Sequence, residues 1–220
     1  MIIDDARTPR PIEPPAPPPT KPDAPTWVPI RSLAARHRDR ILAHLLALTP
    51  HDRYLRFGFA ASDAQVAQYV ERLDFERDEV LGIFNRRLRL LAMAHLAYLN
   101  SEPGHNGRRA EFGVSVAVHA RGRGYGSRLF DLAVLHARNR GVRTLVIHAL
   151  SENTPMLRIA HNAGAHVVRD GSEAEAMLEL PADSMASHVE QLVETRAAEW
   201  DYRLKWQARR IERLRHTPNR

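Results

Sequence analysis

The sequence predicts an α/β domain whose strands and helices follow one another in mixed order. Runs such as DEVLGIF, AEFGVSVAVHA and TLVIHAL are rich in β-branched or alternating apolar residues and read as strands. AQVAQYVERL and SRLFDLAVLHARNR carry apolar residues at spacings of three and four and read as helices. Turn-forming residues separate the two kinds of segment. That alternation implies layers of helix packed on a sheet.

Taken in order, WVPIRSL reads as a short strand. RHRDRILAHLLALTP reads as a helix with Ile41, Leu42, Leu45, Leu46 and Leu48 apolar. Ser62 and Asp63 cap AQVAQYVERL, where Val66, Tyr69, Val70 and Leu73 share a face. DEVLGIF and LRLLAMAHLAYL are two strands joined across Asn85-Arg86-Arg87. NSEPGHNGRR is a loop, and AEFGVSVAVHA a strand running to residue 120. A glycine-rich turn opens SRLFDLAVLHARNR, which Gly141 stops in the left-handed manner. TLVIHAL is a buried strand. Thr154-Pro155 reads as the N-cap and first turn of a short helix ending at Gly164. HVVRD and AEAMLEL close the domain as strands, giving the order β-α-α-β-β-β-α-β-α-β-β over residues 27–182.

Two other segments flank this domain. Nine of the 15 prolines fall in residues 1–26, which predicts a disordered, polyproline-like tether. In residues 183–220, Val189, Val193, Ala197, Trp200, Leu204, Ala208 and Ile211 form one apolar stripe, and basic residues crowd between Arg203 and Arg215. This predicts an amphipathic C-terminal helix that docks on its own domain or on a second copy, giving a homodimer. A nucleic-acid or membrane-surface role is the other reading of its charge.

Composition closes several function classes. There is no cysteine in 220 residues, which excludes a disulfide scaffold, a cysteine nucleophile and a thiolate zinc site. Only Lys21 and Lys205 are lysines, so the predicted domain has neither a P-loop lysine nor a Schiff-base lysine. The 12 histidines show no metal-ligand spacing, and no metal is expected. The N-terminus lacks a secretory pattern and no apolar run reaches the roughly 20 residues that span a bilayer, so a cytoplasmic protein without a membrane partner is expected. A net charge of +6 favours an anionic ligand.

Arg121-Gly122-Arg123-Gly124-Tyr125-Gly126 lies between a predicted strand and a predicted helix. Glycines let backbone amides close on an anion, and the helix that follows adds unpaired N–H groups and a positive dipole end. Together these make a phosphate cradle. The dinucleotide pattern G-x-G-x-x-G fails, because Ser127 stands where the third glycine would be.

R-G-x-G-x-G after a strand resembles the cofactor motif of the GNAT superfamily of N-acetyltransferases. Ala110-Glu111-Phe112-Gly113, ten residues earlier, is similar to the family's A-E-φ-G, and N-x-x-M-x-x-I-x-x-x-x-G from Asn153 to Gly164 is similar to its second cofactor motif. Arg53-Tyr54-Leu55-Arg56-Phe57, followed by Ser62-Asp63, resembles the first helices of the acetyltransferase module of bacterial protein-lysine acetyltransferases. The resemblance implies a GNAT-like mixed, mostly antiparallel sheet flanked by helices, with strand 111–118 splayed from strand 144–149. It implies acetyl-CoA as acyl donor, its pantetheine on the backbone of Val116, Ala117 and Val118. Its pyrophosphate would lie on Arg121, Gly122, Arg123, Gly124, Tyr125, Gly126 and Ser127, and Asn153 would meet the pantetheine arm. The acceptor would be a primary amine, a protein lysine or a small molecule, approaching the helices around Arg53–Phe57 and the loop 100–109. Arginines there would suit an acceptor that also carries carboxylate or phosphate.

Glu111 is the expected general base, its other reading being a solvated strand residue paired with Arg109. The tyrosine that family members often carry as general acid is replaced by Ala160, leaving the role to water, His161 or Ser151. That replacement supports a second reading, a catalytically weak acyl-CoA sensor. A third is a nucleic-acid-binding protein working through its basic C-terminal helix, which leaves the glycine turn without a purpose.

Overall fold

The computed structural model describes residues 28–99 and 108–181. The tether expected over 1–26 and the helix expected over 183–220 lie outside these residues, as does most of the loop 100–109.

Seven strands form one sheet in the order β1-β2-β3-β4-β5-β7-β6. They are β1 (Ile30–Ser32), β2 (Glu79–Phe84), β3 (Leu90–Tyr98), β4 (Arg108–Val116), β5 (Val142–Leu150), β6 (His166–Asp170) and β7 (Glu173–Glu179). Every neighbouring pair is antiparallel except β4 and β5. The helices are α1 (Arg38–Leu46), α2 (Pro50–Phe57), α3 (Asp63–Glu71), α4 (Tyr125–Asn139) and α5 (Thr154–Asn162). The α/β sheet flanked by helices agrees with the expected fold.

The side-chain alternation of the strands divides the core in two. Leu81, Ile83, Ala92, Ala94 and Leu96 face α4, where Phe112 meets Phe130 edge-on at 5.1 Å between ring centroids. Val80, Phe84 and Met93 face the other way and pack with Ile41, Leu45 and Val66 of α1 and α3.

The structure corrects the sequence reading at three points. The segment read as one helix before residue 50 is followed by a separate helix, α2: Thr49 accepts the Asp52 N–H at 3.1 Å, and Pro50 opens the first turn. The strand expected to reach residue 120 ends at Val116, and residues 118–120 form a 3-10 turn closed by the Ala120 N–H on the Ala117 carbonyl. The cap of α5 is Asn153, not Thr154: its Oδ1 accepts the Met156 N–H at 3.3 Å.

Two histidines are sealed into the fold. His44 Nδ1 lies 3.2 Å from the Leu90 carbonyl, so it carries the proton, and Nε2 accepts the Ser115 hydroxyl at 2.9 Å. Burial holds His44 at a pKa of about 4. His37 is also held at about 4, by burial first and then by Arg36, Arg31 and Arg40. Both take up protons more readily in the unfolded chain, near 6.5, so their contribution is complete above that value and is lost as pH falls towards about 4. Thermal melts should therefore be level at neutral pH and decline steeply below it, and His44→Gln should flatten the decline. An unchanged slope in that variant would contradict the assignment.

Candidate active site

The site begins where the sheet opens. β4 and β5 pair in parallel only from Arg108↔Val142 to Glu111↔Val146. Beyond that, β4 stays on β3 as far as Ala92↔Val116, and β5 stays on β7 as far as Leu150↔Glu173. Each strand holds its outer neighbour while the inner edges part. The Ala117 N–H donates to the Leu91 carbonyl at 2.8 Å and the Leu99 N–H to the Arg109 carbonyl at 3.0 Å. Odd-numbered residues of β4 therefore turn their backbone groups towards β3, and the even-numbered ones, Val114 and Val116 included, turn theirs into the gap.

Two cavities meet at this opening. One, of about 450 Å³, is lined by Val116, Arg121, Gly122, Gly124, Tyr125, Gly126, Ser127 and Asn153, all predicted site residues. The other, of about 910 Å³, is lined by Glu111, Tyr69, His148 and the acidic residues Asp170, Glu173 and Glu175. Leu55, Arg56, Val114, Asn153 and Met156 border both.

The first cavity contains the glycine turn. Gly122 and Gly124 have φ of 75° and 71°, a left-handed conformation that a side chain adopts only with strain. The first capped amide of α4 is that of Arg128, which donates to the Gly124 carbonyl at 3.1 Å, so the amides of Tyr125, Gly126 and Ser127 precede the helical ladder. A Cβ on Gly126 would lie 3.2 Å from Ile159 Cδ1, so this glycine lets α5 close on the turn.

The structure separates the other predicted residues. Arg123 is exposed and does not border the cavity. Ala117 and Val118 do not border it either: the Ala117 N–H is taken by Leu91, and Val118 is exposed on the 3-10 turn. Arg121 forms an ion pair with Asp52 of α2. Burial works to raise the Asp52 carboxyl, but hydrogen bonds from Thr49 and Arg121 outweigh it and hold the group below the ordinary carboxylate range. Glu111 is exposed on the wall of the second cavity. His161 is exposed beside Arg158 and Arg169, away from both cavities, and the Ser151 hydroxyl is spent on the Gly171 and Glu173 carbonyls. Ala160 is fully buried.

The sequence reading missed a chain of polar groups behind the second cavity. Arg56 donates to the Tyr69 hydroxyl at 2.8 Å, Tyr69 Oη lies 2.9 Å from His95 Nδ1, and His95 Nε2 lies 3.0 Å from Asp78 Oδ2. A guanidinium can only donate and the Asp78 carboxylate accepts, so His95 carries its proton on Nε2 and Tyr69 donates to Nδ1. Burial keeps the Tyr69 phenol above its ordinary value and the His95 imidazole below its own. Arg56 stood in the RYLRF motif, but its partners come from α3, β3 and the residue before β2, and no local pattern connects them. Among the described residues, no group of His, Asp or Glu could hold a metal ion, and no helix is long and apolar enough to cross a membrane.

Residues 58–165 match the model of the acetyltransferase (GNAT) family. The GNAT domain of the S. lividans protein acetyltransferase is similar in structure: TM-score 0.57 and 19% identity, over 69% of this chain and 89% of that one. A Salmonella typhimurium protein solved with its cofactor acetyl-CoA gives a TM-score of 0.54 at 17% identity, over 72% and 97% of the two chains. An N-acetyltransferase of Staphylococcus aureus Mu50 gives 0.54 at 15%, over 71% and 100%. No curated protein matches the chain in sequence. Family model and fold agree: residues 58–165 match the GNAT acetyltransferase family, and the described residues have the GNAT-like fold.

Asn153 does two structural jobs at the junction, capping α5 and donating through Nδ2 to the Leu55 carbonyl of α2 at 3.4 Å. Asn153→Ala should cost about 1 kcal/mol, the usual value of a lost N-cap, measured by urea denaturation. A variant as stable as the parent would show that neither bond matters.

Proposed function

We propose that the protein is an N-acetyltransferase that takes acetyl-CoA as donor and passes its acetyl group directly to a primary amine. The observation that carries this reading is the meeting of a glycine-turn amide cradle with an acid-lined cavity across the parted strands. The diphosphate of the donor would lie on the amides of residues 122–127, with Arg121 beside it. Pantetheine would run along the free edge of β4 and pair with Val114 and Val116, rather than with Ala117 and Val118. The Val116 N–H faces the gap and suits the thioester carbonyl. Asn153 borders the same channel.

The acceptor would enter the second cavity. Its lining holds four carboxylates, Glu111, Asp170, Glu173 and Glu175, with Arg56 the one arginine among the residues that border it. That balance supports a cationic acceptor, a protein lysine or a small polyamine-like amine, over the carboxylate- or phosphate-bearing one that the arginines of the sequence suggested. Glu111 faces this cavity and is the group placed to receive the ammonium proton, directly or through one water. Coenzyme A leaves as a thiolate. With Ala160 buried and His161 and Ser151 turned elsewhere, no side chain at the expected positions protonates it, and water serves.

Acetyl-CoA should raise the melting temperature, since a ligand that binds only the folded chain stabilises it by mass action. Gly124→Val, which puts a β-branched residue at φ 71°, should abolish that shift. A variant that keeps the full shift would mean that the donor binds elsewhere.

Release of free coenzyme A, assayed over a panel of lysine peptides and small amines, tests the reaction itself. Glu111→Gln should leave acetyl-CoA binding intact and lower turnover by about 10²–10⁴, the usual loss for a general base. Wild-type protein that binds acetyl-CoA and acetylates no member of the panel would favour the sensor reading.

A further inference from the structure

Arg56 occupies the point where the two cavities join. Its guanidinium fills the space over Gly113 of β4: a Cβ on that glycine would lie 2.8 Å from Cζ and from both terminal nitrogens. Gly113 thus admits the arginine to the splayed edge of the strand, next to Val114. The side chain is held from behind. NH2 donates to Tyr69, which is fixed in turn by His95 and Asp78, and the charge lies 5.3 and 5.4 Å from the ring centroids of Phe57 and Tyr69. Arg56 itself borders both cavities. Nε is buried with no hydrogen-bond partner, and Arg56 forms no ion pair among the described residues. A cation fixed from behind where two cavities join is suited to charge that develops during a reaction.

We propose that Arg56 is a catalytic residue of the acyl transfer, donating to the thioester carbonyl oxygen as that oxygen becomes an oxyanion. This rests on the acetyl-transfer reading above. The acceptor nitrogen forms a bond to the carbonyl carbon, and the π pair of the carbonyl moves to oxygen, opposite the Arg56 guanidinium and the Val116 N–H. The C=O bond then re-forms and the C–S bond breaks, its pair leaving on sulfur. Of the two protons the ammonium loses, one goes to Glu111 and the other ends on the thiolate by way of water. Tyr69 is a positioning residue, acting through the guanidinium it anchors.

The test needs no acceptor. Acetyl-CoA labelled with carbon-13 at the carbonyl is bound to the full chain, and its carbonyl resonance is compared with that of the free thioester, a downfield displacement reporting polarisation of the C=O bond. Wild type should show the displacement. Arg56→Gln removes the donor, and Gly113→Ala evicts it by placing a methyl group where the guanidinium lies. The colliding atoms are the far end of a flexible side chain, so the second variant keeps the fold available. Both should lose about half or more of the displacement while acetyl-CoA affinity, by calorimetry, changes little, and turnover should fall about 10²–10³-fold, as when one oxyanion donor is removed. A full displacement in both variants overturns the proposal. So does a full displacement accompanied by a raised KM for the amine alone, which would make Arg56 an acceptor contact. Failure of wild type to bind acetyl-CoA brings down the acetyl-transfer reading itself, and is a distinct result from binding without a change in the carbonyl.

Discussion

The rest of the site depends on four residues of parallel pairing. β4 and β5 are bonded from Arg108 to Glu111 and then separate, each kept in place by its outer neighbour. A sheet that opens in its middle exposes backbone donors and acceptors that would otherwise be paired, and such groups need a partner. Here the even-numbered residues of β4 present them to a channel. The channel leads on one side to the amides at the start of α4 and on the other to a ring of carboxylates.

Helix α2 turns this opening into a site. It is short, capped by Thr49 and Pro50, and touches the splay at several points. Asp52 reaches Arg121 in the glycine turn, the Leu55 carbonyl accepts from Asn153 at the start of α5, and Arg56 lies on Gly113. The two flanks of the gap are thus tied to one eight-residue element. The arrangement is electrostatically divided: backbone amides and Arg121 at the first cavity, carboxylates at the second, and the Arg56 charge between them. In the proposed reaction, a thioester with an anionic tail and an amine with a positive charge would be drawn to opposite ends and meet in the middle.

The Arg56–Tyr69–His95–Asp78 chain gives this centre its rigidity. Its polarity is fixed at both ends by groups that can act in only one sense, a guanidinium that donates and a carboxylate that accepts. Buried networks of this kind hold a side chain in one place because any other arrangement leaves a polar group unpaired. The result is a cation whose direction is settled before any ligand arrives, which is the condition for electrostatic stabilisation of a transition state.

The order of elements, α2 excepted, and the glycine turn were legible in the sequence, because each is written in local spacing. Glycines at alternate positions before a helix, apolar residues at period two or 3.6, and capping residues act within a few residues of themselves. Gly122 and Gly124 could be named as a candidate anion site on that basis, whereas Val116 and Asn153 were named from the family resemblance. Val118 could not be rejected on it, because the apolar alternation of VSVAV runs on past the point where the Ala117 N–H commits to Leu91 and the chain turns into a 3-10 helix. Only the tertiary structure decided that Arg56 stands at the junction, since its partners Tyr69, His95 and Asp78 lie 13 to 39 positions along the chain and meet through the packing of α2 and α3 on β3 and β4. It alone decided, too, that the second cavity is lined by carboxylates. The carboxylates come from β4, β7 and the end of β6, strands distant in sequence that face one space because the sheet order places β7 and β6 beyond β5. Local physics fixed which elements form and where the glycine turn lies; the charge that lines the second cavity was set by which strands the sheet brings together.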